Sequence, residues 1–182
     1  MKSMIIPGVF TKVTQFWIPY VKKGMEELGL EVIAEDMPDF FKARSNIWLP
    51  HIEEKLAGDE EAIVVGYSSG AAAILRYLEE HKLKGVVLVG AHYTHGKNER
   101  EKASGYFDNE WQWEKIRNNA GWIAQFASSD DPYIPVEEFR FIRDSLGTDY
   151  HEFTDRGHFN NITEFPELVD LIKERLKKSD RD

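Results

Sequence analysis

The residues best placed to do chemistry lie in Gly66-Tyr67-Ser68-Ser69-Gly70, a G-x-S-x-G run that follows Ile63-Val64-Val65 and precedes an Ala-rich stretch from Ala71. Between a strand and a helix this spacing puts a serine on a strained corner. Its hydroxyl is exposed at the C-terminal edge of a sheet, and the glycines let strand and helix approach closely. The helix N-terminus and the Ser69 amide then face charge developing on an oxygen. The plainer reading is that the glycines only permit a tight turn and that Ser68 caps the helix.

Two later loops bear on the choice. Ser128-Ser129-Asp130-Asp131-Pro132 follows the fifth predicted strand, and Thr154-Asp155-Arg156-Gly157-His158-Phe159 follows the sixth. Serine, aspartate and histidine, each from a different loop on one sheet edge, come in the chain order of the α/β-hydrolase arrangement. A serine hydroxyl is a poor nucleophile until a base takes its proton. His158 is the expected base and Asp131 the carboxylate expected to orient it, with Asp130 as rival. Singly, each has a plainer role, since Asp-Pro starts turns and a histidine after glycine can cap a loop. Together, in one order on one edge, they favour catalysis.

The other histidines carry less. His51, His81 and His151 stand isolated and read as structural. His92 and His95, with Glu99 nearby, are conceivable metal donors, but no clear helix sets their spacing and no metal is assigned. No cofactor is expected.

These residues need a scaffold that brings loops to one edge. Short apolar runs alternate with segments of helical period, which predicts an α/β fold with a mostly parallel sheet flanked by helices on both faces. Six strands are expected, at Met4–Pro7, Leu30–Glu35, Ala62–Gly66, Gly85–Gly90, Trp122–Ala127 and Asp149–Phe153. Continuous runs such as Val86-Val87-Leu88-Val89 suit strands buried on both faces. Helical spacing joins Trp17, Val21, Met25 and Leu28; then Val136, Phe139, Ile142 and Leu146; then Phe165, Leu168, Leu171, Ile172 and Leu176. Ala71–His81 is a further helix. In Ala43–Leu56, Pro50 is expected to kink or restart any helix. Residues 91–120 form a long polar and aromatic insertion, expected as a cap-like wall over the site, with Tyr106, Phe107 and Trp111 among its substrate-lining candidates.

The 182 residues suit one domain, and 42% hydrophobic content with 13% aromatics is that of a folded chain. A net charge of −9, from 23 basic and 32 acidic residues, argues against a nucleic-acid partner. With no cysteine, disulfides, thiolate metal sites and a cysteine nucleophile are excluded. The apolar stretch near the N-terminus is too short for a signal-peptide core and no segment suits a membrane span, so no membrane partner and a cytoplasmic location are expected.

Nearly the whole chain resembles the small serine hydrolases of the retinoblastoma-binding protein 9 family, a compact branch of the α/β-hydrolase superfamily. The resemblance rests on Met37-Pro38-Asp39, Ala43-Arg44, Ile47-Trp48-Leu49-Pro50, Gly66-Tyr67-Ser68-Ser69-Gly70-Ala71, Ala103-Ser104-Gly105-Tyr106-Phe107, Trp111-Gln112-Trp113-Glu114-Lys115-Ile116, Asp130-Asp131-Pro132 and Gly157-His158-Phe159. It implies nucleophile Ser68, base His158, and Asp131 rather than Asp130. It also implies cofactor-free hydrolysis of small carboxylic esters or amides through an acyl-enzyme.

Two features depart from the family pattern. A glycine-rich loop usually follows the first strand's Pro-Gly and supplies an oxyanion amide. Here Pro7-Gly8 leads into Val9-Phe10-Thr11-Lys12-Val13. The Val9 amide can still serve beside that of Ser69, although Val9 and Phe10 restrict the turn and the space for substrate, where Phe10 and Tyr67 are lining candidates. The change also admits a weakly active or silent binding protein, its loop rebuilt, by nature or by design, into an apolar pocket wall. The second departure is at Leu56-Ala57-Gly58-Asp59-Glu60, where Gly58 replaces the cysteine of the L-x-C-x-E motif associated with the retinoblastoma protein. That partner is not expected, and Gly58-Asp59 reads as a helix end.

Overall fold

The computed structural model describes residues 1–179. In chain order the elements are β1 (Lys2–Ile6), α1 (Ile18–Glu27), β2 (Glu31–Ile33), α2 (Ser45–Leu56), β3 (Ile63–Tyr67), α3 (Ser69–Tyr77) and β4 (Gly85–Val89). Then follow α4 (Glu99–Ala103), α5 (Trp113–Asn119), β5 (Ile123–Ser128), α6 (Val136–Leu146), β6 (Asp149–Phe153) and α7 (Pro166–Ser179). The six strands make one sheet in the order β2-β1-β3-β4-β5-β6, and every pairing is parallel. The chain therefore turns outward from β1 to β2 and returns to β3 on the other side of β1. The crevice beyond the C-terminal ends of β1 and β3 lies at this reversal, where open α/β sheets bind ligands.

Alternation along the strands explains why helices are needed on both faces. Met4, Ile6, Val64, Val86 and Leu88 point to one core, with Trp48, Ile52 and Leu56 of α2, the alanines of α3, and Ile142 and Leu146 of α6. Ile5, Val65, Val87, Val89 and Phe126 point to the other, covered by Ile18, Val21 and Met25 of α1 and by Leu168, Leu171 and Ile172 of α7. Successive strand residues face opposite sides, so these unbroken apolar runs leave neither face tolerable to water. No helix among the described residues is long and apolar enough to cross a membrane.

The structure departs from the sequence-based expectation at Pro50, which lies inside a continuous α2. Proline there removes the bond to the Asn46 carbonyl, but Asn46 and Pro50 are both exposed, so water can reach that carbonyl. Buried Trp48, Ile52 and Leu56 hold the opposite face, and the Trp48 indole N–H donates to the Pro38 carbonyl at 2.6 Å. The helix ends with Ala57 at φ 53° and Gly58 at φ 71°.

The insertion between β4 and β5 is organised by Arg76 of α3. Its guanidinium donates to the carbonyls of Tyr106 at 2.7 Å, Asn109 at 2.5 Å and Glu110 at 3.2 Å, pairs with Glu79, and lies 3.7 Å from the Trp111 ring centroid. One planar cation thus gathers a stretch with little regular structure and fastens its aromatics to the sheet's helical layer.

Phe165 anchors the α7 side. It is fully buried against Trp17, Phe126 and Phe159, with ring centroids 5.6, 4.9 and 5.5 Å away. Phe165→Ala should lower unfolding free energy by about 3–5 kcal/mol. Urea titration checks this, and a loss below about 1 kcal/mol would mean that the cluster is not the packed unit described.

Candidate active site

Ser68 sits between β3 and α3 with φ 53° and ψ −118°, a conformation that a side-chain-bearing residue adopts only at a cost. Its neighbours make the turn possible by what they lack. A Cβ on Gly66 would lie 2.7 Å from the Gly70 carbonyl oxygen, and one on Gly70 would lie 2.3 Å from that of Ile6. Neither position admits a side chain, so the ends of β1, β3 and α3 close to backbone contact. The Ser68 amide donates to the Val89 carbonyl at 2.9 Å, while its own carbonyl accepts from Ala71 and Ala72. Its side chain makes no helix-capping bond, so capping does not account for this serine.

The hydroxyl points instead at an imidazole. Ser68 Oγ lies 3.0 Å from His158 Nε2, and His158 Nδ1 lies 2.7 Å from Asp131 Oδ2. The Asp131 side chain is fully buried, and its other oxygen accepts the amides of Tyr133 at 2.8 Å and Ile134 at 3.0 Å. With both oxygens hydrogen-bonded, the carboxylate is fixed in orientation. Asp130, the rival, does something else. It accepts from the Ser128 hydroxyl and, at 2.9 Å, from the Gly157 amide, while Ser128 Oγ accepts the Arg156 amide at 3.1 Å. Those donors hold its carboxyl below the usual aspartate range. Asp130 thus ties the end of β5 to the loop that carries His158. Tyr67 clamps the same loop, donating its hydroxyl to the His158 carbonyl at 2.7 Å; burial, then the nearby Asp131 and Tyr133, push this phenol up so that it remains a donor.

A cavity of ≈690 Å³ opens above Ser68. Gly8, Val9, Phe10, Tyr67, Ser68 and His158 line it, with a polar wall from His92, Thr94 and Asn98 to Glu101 and an opposite wall from Pro132 to Pro135. Of the lining candidates, Phe10 and Tyr67 lie on its wall. Tyr106, Phe107 and Trp111 do not line it: Tyr106 is fully buried, and Phe107 and Trp111 pack on the same core. Arg76 draws that end of the insertion onto α3, so the insertion faces the cavity only between His92 and Glu101. His92 meets Glu101 rather than Glu99, and no cluster of metal-donor side chains occurs among the described residues.

Sequence reasoning missed the polar network beneath this wall. The buried Ser69 hydroxyl donates to Glu101 Oε1 at 2.9 Å, and Glu101 Oε2 lies 3.4 Å from His92 Nε2. The available signal was Asn98 three residues ahead of Glu101. Asn98 does cap α4, accepting the Arg100 and Glu101 amides, but the Glu101 side chain turns inward instead of completing a capping box.

Burial pushes the Glu101 carboxyl up, yet its bond to His92, the Ser69 hydroxyl and the nearby Arg100 charge together hold it below the ordinary glutamate value of 4.5. A carboxylate whose pKa falls on folding contributes stability above its unfolded pKa, and that contribution fades as pH drops through the folded pKa. The stability lost in Glu101→Gln should therefore be largest near neutrality and shrink below about pH 4.5. Urea titrations across that range check this, and a pH-independent difference would contradict the charged state described.

The family model described as Serine hydrolase matches residues 3–174. The chain is 44% identical over 178 residues to the rat (Rattus norvegicus) protein named Serine hydrolase RBBP9, covering 96% of this chain and 95% of that one. Among solved structures, the ydeN gene product of Bacillus subtilis superposes with a TM-score of 0.86 at 24% identity, covering 97% of this chain and 98% of that one. Est1E of Butyrivibrio proteoclasticus, a structure with ferulic acid bound, gives 0.78 at 11% identity over 100% of this chain and 90% of its own. Both structures speak for the hydrolase fold. With the family match spanning almost its full length, the chain belongs to the serine hydrolase family.

Proposed function

We propose that the protein hydrolyses small carboxylic esters or amides through an acyl-enzyme, with Ser68 as nucleophile, His158 as general base and acid, and Asp131 as orienting carboxylate. The observation that carries this reading is the unbroken line from Ser68 Oγ to His158 Nε2 at 3.0 Å and from Nδ1 to Asp131 Oδ2 at 2.7 Å. As Oγ attacks the carbonyl carbon, its proton passes to Nε2 and the carbonyl oxygen becomes anionic. Asp131 stabilises the imidazolium. His158 then returns the proton to the leaving alcohol or amine, and water repeats the sequence in reverse to release the acid.

The oxyanion is assigned to the amides of Val9 and Ser69. A Cβ on Gly8 would lie 3.1 Å from Ser68 Cβ, so the chain after β1 runs against the nucleophile. The Phe10 amide is taken by the Phe40 carbonyl at 3.2 Å and the Thr11 amide by that of Gly8 at 3.1 Å. Among the described residues the Val9 and Ser69 amides have no partner. A backbone N–H serves whatever its side chain, so replacing the glycine-rich loop does not remove the donor.

A fluorophosphonate probe should label the wild-type chain with one-to-one stoichiometry and fail to label Ser68→Ala. An unlabelled wild-type chain would favour a silent binding protein on the same fold. Asp131→Asn should lower kcat on 4-nitrophenyl acetate by about 10³–10⁴-fold while leaving unfolding free energy within about 2 kcal/mol. A change in kcat under tenfold would remove Asp131 from the mechanism.

A further inference from the structure

A second cavity, ≈530 Å³, adjoins the first and is bounded by Phe10, Phe41, Lys42, Arg44, Arg100 and Ala103. Phe10 and Arg100 border both. Phe10 is 42% and Phe41 66% exposed, with their rings edge-to-face at 5.7 Å. Phe10 is held there by a backbone at φ 60° and by the hydrogen bond its N–H donates to the Phe40 carbonyl. A bulky residue kept in the left-handed region with its ring in solvent costs stability and buries little, which points to a role against a ligand.

The charges bordering these cavities differ in what they leave free. The carboxylates are occupied. Glu101 holds Ser69 and His92; Glu138 accepts the Tyr93 and Thr94 amides at 2.9 and 3.0 Å and the Thr94 hydroxyl; and Arg44, which bounds the second cavity, is taken two-pronged by Asp39 at 2.8 and 3.0 Å. The cations Lys42, Lys97 and Arg100 have no carboxylate within 4.0 Å among the described residues. Arg100 lies over the Phe10 ring, its Cζ 4.2 Å from the centroid, which fixes the guanidinium plane while leaving donor edges for a ligand. On a chain of net charge −9 this is a local exception.

We propose that this groove receives the acyl part of the substrate, and that the preferred substrates are esters or amides whose acyl group is a flat apolar body ending in a carboxylate. The body lies against Phe10 and Phe41, and the carboxylate meets Arg100, with Lys42 and Lys97 adding charge. The direction follows from the mechanism above, on which this inference rests. His158 protonates the leaving group, so that group sits on the His158 side, where Tyr133 meets the imidazole edge-on at 5.2 Å. The acyl part then extends the other way, toward Phe10.

The test compares two 4-nitrophenyl esters, of 3-(4-carboxyphenyl)propanoic acid and of its carboxamide counterpart, 3-(4-carbamoylphenyl)propanoic acid. At low ionic strength kcat/KM should favour the carboxylate by about tenfold, and Arg100→Gln should bring the ratio close to one. The remote charge-loss variant Lys173→Gln should keep the wild-type ratio. Equal rates in the wild type, or a preference that survives Arg100→Gln, would overturn the subsite while leaving the hydrolase reading intact. Calorimetric binding of 3-(4-carboxyphenyl)propanoic acid to Ser68→Ala, with and without Arg100→Gln, gives a readout that needs no turnover. The double variant should bind about tenfold more weakly. Equal affinities would refute the subsite, whereas loss of fluorophosphonate labelling would refute the nucleophile alone.

Discussion

The backbone of Ser68 is the constraint on which the remainder hangs. A serine at φ 53° and ψ −118° is unfavourable in isolation, and it is kept there because three elements meet around it without room for relaxation. The two flanking glycines let the Ile6 and Gly70 carbonyls approach to distances that any side chain would forbid. The same closeness that strains the serine lifts its hydroxyl out of the helix-capping role and toward the imidazole. Folding energy from two apolar cores is thereby converted into a fixed orientation for one hydroxyl.

Sheet topology sets where this happens. Because the chain reverses direction between β1 and β3, the loops after those strands diverge and leave a crevice that β-strand packing cannot fill. The loops after β5 and β6 reach it from the other side, bound to each other through Asp130, Ser128 and Gly157. The two neighbouring aspartates divide the labour: one orients the imidazole, the other holds its loop. Glu101 supplies the fourth attachment, fastening the wall of the cavity to the residue after Ser68.

Much of this was legible in the amino-acid order because it is local. The strand runs are apolar on consecutive residues, so burial on both faces follows from Val86 to Val89 without knowledge of partners, and the glycine spacing around Ser68 specifies a corner by itself. The α/β-hydrolase order of Ser68, Asp131 and His158 then needs only that each loop leave the same sheet edge. What was not legible depends on distant contacts. Trp111 and Tyr106 look like pocket aromatics until Arg76, some 30 positions earlier, is seen to hold the Tyr106 carbonyl and to lie against the Trp111 ring. Pro50 looks like a helix breaker until Asn46 is found on the solvent side. Glu101 looks like a capping residue until Ser69 is found beneath it.

The most direct measurement is a crystal structure of the wild-type chain after reaction with a diethyl phosphate ester. The strained-corner arrangement predicts phosphorus bonded to Ser68 Oγ and one phosphoryl oxygen within about 3 Å of both the Val9 and Ser69 amide nitrogens. An adduct whose phosphoryl oxygen faces solvent, with the Val9 N–H turned away from it, would contradict the claim that this corner and the loop after β1 together form a working catalytic centre.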